Sequence, residues 1–414
     1  VFFALDLGKT FSSVRENRAL QTYLLSQICR LWAWAALQVA VNWLLYSATR
    51  SSEVLAWVNF AYFLPMLIFG LSGGYVADRF NRKKILIITQ LIYALLMLVF
   101  SFLAAQKAND VWLIASAYFA VGVVFAHDQP VRQALLMNLI PTNQRINAFC
   151  CDMIISTLAT MSGFASAGLL VKSLGESYCF LFASTAFVVA TILLTAVQQY
   201  SDQKEDLQKT ETEPVKIREA LSYLGQNSDA RRILFHNSLA LLVGTKYGLL
   251  FPAITVTVLH ANSSIFGYLD AANAIGGALA GLSLANLPLS PSWGGRYAAL
   301  AGSLLLFILA GSEHLILSIV TVVLLGLCFT LQNNGNYAVL QTLIPDRLRG
   351  RIIAIYLIIT QLIDQIGNLL AGWGANKYGV GTTLIVEGSL CTSIFLLICL
   401  VTRRRDARFQ TERS

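Results

Sequence analysis

Charge is scarce in this chain. Asp, Glu, Lys and Arg make up 13% of its 414 residues, about half the roughly 25% of an average soluble domain. Hydrophobic residues make up 56%, and the mean hydropathy is +0.63. A water-soluble fold of this size could not hide so much apolar surface, whereas a bilayer solvates it. Catalytic signatures are lacking too. There is no Ser/His/Asp set, no HExxH, no phosphate loop and no Rossmann glycine spacing, which argues against an enzyme and against ATP-driven pumping. CxxC pairs are absent. Cys29, Cys150, Cys151, Cys179, Cys328, Cys391 and Cys399 mostly lie inside apolar runs, as small packing residues rather than a disulfide framework. His127, His236, His260 and His314 do not cluster, so neither a metal site nor a cofactor is expected. A net charge of +8 could suit nucleic acid, but the basic residues sit in short gaps between apolar runs, so no nucleic-acid partner is expected. Residues 1–19 are too polar for a cleavable signal peptide, and the start at Val1 rather than Met suggests trimming.

What is present is a set of membrane spans. A helix needs about 20 residues to cross the hydrocarbon core. Twelve apolar stretches are predicted as spans: 21–48, 54–77, 85–105, 111–137, 147–171, 177–198, 233–259, 264–286, 296–312, 315–340, 351–376 and 381–402. The expected fold is therefore all-α and integral to a membrane. A segment 1–20 precedes a six-helix bundle at 21–198. A polar linker at 199–232 leads to a second six-helix bundle at 233–402 and a basic tail at 403–414. Within the linker, Val215 to Leu224 reads as a short amphipathic surface helix, with Val215, Ala220, Leu221 and Leu224 on one side.

Residues 122–175 and 326–379 are one passage written twice, 204 positions apart. Gly122, Phe125, Ala134, Ile140, Pro141, Arg145, Gly163, Gly168 and Gly175 recur as Gly326, Phe329, Ala338, Ile344, Pro345, Arg349, Gly367, Gly372 and Gly379. Parallel repeats of this kind build secondary transporters, with a site near the midplane exposed to each side in turn. Basic residues set the orientation. With a cytoplasmic N-terminus, 24 of the 30 Lys and Arg fall on the cytoplasmic side, and four (Arg50, Lys107, Lys172, Lys377) fall outside. Both termini are expected in the cytoplasm of a bacterium, with the chain in its inner membrane.

The gap after the second span reads Gly73-Gly74-Tyr75-Val76-Ala77-Asp78-Arg79-Phe80-Asn81-Arg82-Lys83-Lys84. It resembles the signature loop of the major facilitator superfamily, with Asn81 where that pattern has Gly. Asn tolerates a left-handed turn at such a position. The resemblance implies a cytoplasmic gate made by Gly74, Asp78, Arg79, Arg82 and Lys83. Asp128, with Arg79 or Arg82 as partner, and Arg132 are assigned to the same gate. Asp128-Gln129-Pro130-Val131-Arg132-Gln133-Ala134 and Ile344-Pro345-Asp346-Arg347-Leu348-Arg349-Gly350-Arg351 are similar to segments of the drug- and siderophore-exporting branch. That likeness implies proton-driven export of a small amphipathic compound. Span five lacks the proline of the Gly-Pro-x-x-Gly-Gly motif common in exporters.

Ions inside apolar spans are costly, and they mark a cavity or a partner. Gln27, Arg30, Trp34 and Gln38 share one face of span one by their spacing. Lys246 lies at comparable depth in span seven. Asp152 in span five and Asp364 in span eleven are the candidate proton-coupling groups, paired with Arg30 and Lys246 respectively. Gln332, Asn333 and Asn336 of span ten and Gln361 of span eleven offer neutral groups for substrate. Asp270 and Glu387 are expected at a water-exposed rim. Trp32, Trp43, Trp57, Trp112 and Trp373 are expected as lipid-facing or interfacial anchors. The partners expected are a small molecule, protons and the bilayer, with the chain as a monomer. Two rival readings keep less of this: an importer or facilitator of an organic anion or metal–siderophore complex, and a membrane sensor that moves nothing.

Overall fold

The computed structural model describes residues 17–106, 110–140, 145–197, 217–284, 295–345 and 348–411. The expected segment 1–16, most of the linker and residues 412–414 lie outside it. For residues 71–78, 145–147 and 401–411, among a few others, the backbone alone is described.

Every described element is helical. The helices are α1 (Arg18–Thr49), α2 (Ser52–Arg79), α3 (Arg82–Ala105), α4 (Val111–Asn138), α5 (Arg145–Leu174), α6 (Glu176–Ala196), α7 (Ile217–Gln226), α8 (Ser228–Val243), α9 (Phe251–Thr257), α10 (Ser263–Leu284), α11 (Arg296–Ala310), α12 (Leu315–Leu343), α13 (Arg349–Tyr378) and α14 (Val380–Thr411). Hydrocarbon offers no partner to a backbone N–H or C=O, so long apolar runs close their hydrogen bonds internally as helices. Eleven described spans are long and apolar enough to cross a membrane, and α8 and α9 together make one of them. The ninth expected span, α11, has 15 residues.

Polar residues mark the starts. The side chains of Asn17, Asn81, Asp110 and Asn227 accept from the backbone N–H groups of Leu20, Lys84, Trp112 and Ala230, satisfying donors that a first turn leaves free. Asn81 therefore does not use the left-handed turn that an asparagine tolerates. It is extended, with φ −64° and ψ 108°, because its carbonyl-bearing side chain serves better as a cap. The surface helix also differs from expectation. It runs Ile217–Gln226; Leu224 is buried while Leu221 is 53% exposed. Val215 lies outside the described residues, as does the Ala220 side chain.

The chain packs into two compact units. The first takes the described parts of Val1–Arg50, Trp57–Gln208 and Asn262–Ala271; the second takes those of Ser51–Ala56, Lys209–Ala261 and Ala272–Ser414. In the first, α1 packs on α5 and α6, and α3 on α4 and α6. In the second, α8 packs on α12 and α13, and α11 on α12 and α14. The repeat reappears in these cores. Leu135, Leu136, Ile140 and Ala148 help fill one cluster. Their counterparts 204 positions on, Val339, Leu340, Ile344 and Ile352, help fill the other. Gly122 sits so close to the Tyr62 carbonyl that a methyl group would overlap it, and Gly326 sits in the same way against Asn273. Gly175 and Gly379 both carry a positive φ, 91° and 87°. The outer faces carry apolar side chains such as Leu95, Phe102, Leu282 and Leu397. That is the distribution a lipid solvent allows. Trp57 and Trp112 join them, at 54% and 83% exposed.

Span seven departs from the continuous helix expected over 233–259. It stops at Val243, makes a single 3-10 turn at Lys246–Gly248 and restarts at Phe251. Gly244, Gly248 and Pro252 account for the break, since glycine weakens a helix and proline is at home in a first turn.

Ala substitution at Gly122 or Gly326 should lower the melting temperature of the purified protein, at a cost of about 1–3 kcal/mol for overpacking. Gly70, where an added methyl meets nothing within 4 Å, is the control and should melt as the parent does. Equal melting of all three variants would contradict the close-approach reading.

Candidate functional site

Each unit buries a cluster of charges. In the first, the cluster is built on α1, α3, α4 and α5. Asp128 and Arg132 are one helical turn apart on α4. Arg132 donates from Nε to Asp128 Oδ2 at 3.1 Å and from a terminal nitrogen to Oδ1 at 2.9 Å. Both side chains are almost wholly buried, at 3% and 1% exposed. Thr89 Oγ1 donates to Asp128 Oδ1 at 2.8 Å. The second terminal nitrogen of Arg132 donates to Gln27 Oε1 at 3.0 Å, and Arg30 Nε donates to the same oxygen at 2.8 Å. One amide oxygen thus serves two guanidinium groups. Asp152 lies within electrostatic reach of Gln27, Arg30 and Arg132, and its Oδ1 is buried without a hydrogen bond.

This arrangement revises two expectations. Asp128 pairs with Arg132, at i,i+4 on its own helix, rather than with Arg79 or Arg82. Arg30 is not ion-paired to Asp152; its described bond goes to Gln27. Two of the expected gate residues, Lys83 and Arg82, bond to backbone carbonyls. Lys83 Nζ donates to the carbonyls of Thr195 and Val197, both at 2.7 Å, placing a cation at the C-terminal end of α6 where the helix dipole favours it. Arg82 donates to the Ala134 carbonyl at 3.4 Å. Arg79 is exposed, and the Gly74 and Asp78 side-chain environments lie outside the described residues. Further along the α1 stripe, Trp34 Nε1 donates to the Tyr62 hydroxyl at 3.4 Å, and Gln38 Oε1 accepts from Tyr118 at 2.6 Å.

The cluster of the second unit is built on the broken span. Lys246 sits in the 3-10 turn and is 1% exposed. Its Nζ is ion-paired to the Asp364 carboxylate and donates to the Asp364 backbone carbonyl at 2.9 Å. Gln365 donates to the other Asp364 oxygen at 3.2 Å, and Asn368 donates to Gln365 at 3.3 Å. Gly367 clears the path: a side chain there would strike Lys246 Cε and the Leu242 carbonyl. The break in span seven and the glycine of span eleven therefore let a long cation cross to its acid. The pairing expected of Lys246 and Asp364 is present.

Four side-chain amides lie in the same unit. Gln332 donates to Asn237 Oδ1 at 3.0 Å, and Asn336 donates to it at 3.5 Å. Asn237 in turn donates to Asn333 Oδ1 at 3.0 Å. Gln332 Oε1 and Asn336 Oδ1 are buried with no hydrogen-bond partner. Gln361 is half-buried on α13. Asn237 was passed over in the sequence, although an amide inside an apolar span is itself a signal. Glu387 also departs from expectation. It is 7% exposed, not a rim residue in water, because α14 turns it toward the interior of its unit. Asp270 is half-buried. No group of three or more His, Cys, Asp or Glu suited to a metal occurs among the described residues.

Comparison with known proteins follows this geometry. The family model described as transmembrane secretion effector, of the major facilitator type, matches residues 9–412. The chain belongs to this family. It is an integral membrane transporter of the major facilitator fold, not an enzyme. A staphyloferrin A transporter of Staphylococcus aureus is 24% identical over 381 residues, spanning 90% of this chain and 94% of its own. Macrolide efflux protein A of Streptococcus pyogenes is 23% identical over 402 residues, spanning 94% and 98%. Among solved structures, a D-xylose-proton symporter aligns with a TM-score of 0.70 at 15% identity, over 91% of this chain and 95% of that one. The nucleoside transporter NupG aligns at 0.71 and 11%, over 93% and 99%.

Replacing Gln27 with Leu should destabilise the first unit. Two buried guanidinium groups would each lose an acceptor, a loss costing about 1–3 kcal/mol or more for charged donors. Thermal unfolding in detergent checks this, with Gln38→Leu as the comparison; a smaller loss at Gln27 than at Gln38 would contradict the shared-acceptor role.

Proposed function

We propose that this transporter exports a small amphipathic or anionic compound, such as a siderophore or a drug, in exchange for protons. The observation that carries the reading is the Lys246–Asp364 pair at a break in span seven. Protonating Asp364 would free Lys246, and a freed cation is a change of charge that a conformational switch can use. Asp364 keeps 27% of its side chain exposed while Lys246 keeps 1%. Asp364 is the more open of the two groups, and in this reading protons reach the pair through it. Asp152, with its unpartnered oxygen near Arg30, is the second candidate proton carrier.

Substrate class rests on the cations and amides. Arg30 and Lys246 suit a carboxylate or catecholate oxygen, and the amides of Gln332, Asn333, Asn336 and Gln361 suit neutral polar groups. Trp34 adds an aromatic face. The relatives named for staphyloferrin A transport and macrolide efflux support a siderophore or drug as cargo. Working by alternating access, the chain would sit in the bacterial inner membrane as a monomer with both termini cytoplasmic, as its basic residues favour. The domain limits 21–198 and 233–402 belong to the same reading, and so does the gate at Gly74, Asp78, Arg79, Arg82 and Lys83.

Vesicles with an imposed pH gradient test it, using staphyloferrin A and a macrolide as probes. Everted vesicles should accumulate a probe when acidified inside, and should not when acidified outside, the gradient a proton symporter would use. Asp364→Asn should abolish gradient-driven accumulation, and Asp152→Asn should reduce it. If both variants match the parent, the coupling assignment is wrong.

A further inference from the structure

The charge clusters around Gln27 and around Lys246 do not balance alike. In the first, Asp128 and Asp152 face Arg30 and Arg132, so the four carry no net charge when ionised. In the second, Lys246 faces two acids; a further buried cation of that unit, Arg296, lies in the first turn of α11. Asp364 is paired with Lys246. Glu387, on α14, is 93% buried, and its Oε2 is buried without a hydrogen-bond partner. The charge that reaches Glu387 is that of Lys246.

Among the described residues, Lys246 is the cation whose charge acts on Glu387. α14 packs against α11, α13, α8 and α9. α11 brings Arg296 and Tyr297, both in its first turn. α8 brings Asp229, Arg231 and Arg232 in its first turn and His236 in its second, and α13 brings Arg349, Arg351, Tyr356, Asp364, Lys377 and Tyr378. On α14 itself Cys391 lies one turn away and feels Glu387. An uncompensated carboxylate this deep in a dry span costs several kcal/mol, and such groups hold a proton instead.

We propose that Glu387 is the dry proton carrier of this transporter, holding a proton while Lys246 pairs with Asp364 and exchanging with Asp364 for the lysine. The step balances. Asp364, the wetter acid, takes one proton from water. Lys246, still an ammonium, leaves it for Glu387, which releases its own proton. One proton enters and one leaves, and the three groups carry no net charge before and after the exchange. The proposal builds on the proton-coupled reading above, but it can be judged separately.

Infrared spectroscopy makes that separation possible. Asp128, Asp152, Asp270 and Asp364 are aspartates, whereas Glu387 is a glutamate; Glu53 and Glu176 lie in first turns. Carboxyl-13C-glutamate labelling of the unmutated, purified protein should therefore shift a protonated-carboxyl C=O band at neutral pH. Asp364→Asn should remove that band, because Lys246 then takes Glu387 as its anion. Glu387→Gln should remove it as well, and Glu387→Asp should return it without the isotope shift. No protonated-glutamate band in the parent protein, or a band unchanged in Asp364→Asn, overturns the proposal. If the bands behave as described yet everted vesicles ignore a pH gradient, Glu387 keeps its role as proton holder and the proton-coupled export reading fails instead.

Discussion

A buried lysine must have an anion. Lys246 is almost wholly removed from solvent, and an unpaired ammonium there would be expensive. The local architecture of the second unit answers that requirement. Span seven breaks at Gly244–Gly248, which sets the lysine in a 3-10 turn instead of on a helix face. Gly367 leaves room for its stem. Asp364 supplies the carboxylate and a backbone carbonyl, Gln365 donates to that carboxylate, and Asn368 donates to Gln365. Each of these details would be a defect in an ordinary apolar span. Together they satisfy one charge.

The first unit meets the same constraint with different parts. Its arginines are fixed by an i,i+4 carboxylate and by one shared glutamine oxygen. Arg132 donates bidentately to Asp128, a geometry that planar guanidinium favours and ammonium cannot match. Asp152 stands at the edge of this cluster with its Oδ1 unbonded. In the second cluster Lys246 pairs with Asp364, while Glu387 lies buried on α14 with no hydrogen-bond partner for its Oε2. The duplicated scaffold thus buries its charges in two different ways.

Much of this was legible in the residues. The 204-residue repeat announced two related helical units, and its paired positions do fill equivalent cores and close helix approaches. Lys246 and Asp364 stood out because ions are rare in apolar runs, and they do meet. The break in span seven was also written in the sequence, as Gly244, Gly248 and Pro252, but the apolar run across it masked the signal. Asp128 and Arg132 have the spacing of a helical ion pair, yet the basic loop at 79–84 drew Asp128 to the wrong partners. Burial of Glu387 could not be read at all. An acid near the end of a span looks the same in sequence whether it faces water or a neighbouring helix, and only the packing of α14 decides it. The amide hub at Asn237 depends on three residues of span ten meeting span seven, a contact that pattern within one helix does not encode.

The central claim is that attraction between Lys246 and Asp364, rather than shape, holds the broken span against span eleven. A double-mutant cycle in thermal unfolding tests it, comparing Lys246→Met, Asp364→Asn and the combined variant. Removing one partner of a buried pair costs up to about 3–5 kcal/mol, less in Asp364→Asn to the extent that Lys246 re-pairs with Glu387, whereas removing both is often close to neutral. The account predicts that the combined variant is more stable than Asp364→Asn alone. Single losses that simply add in the combined variant would contradict it.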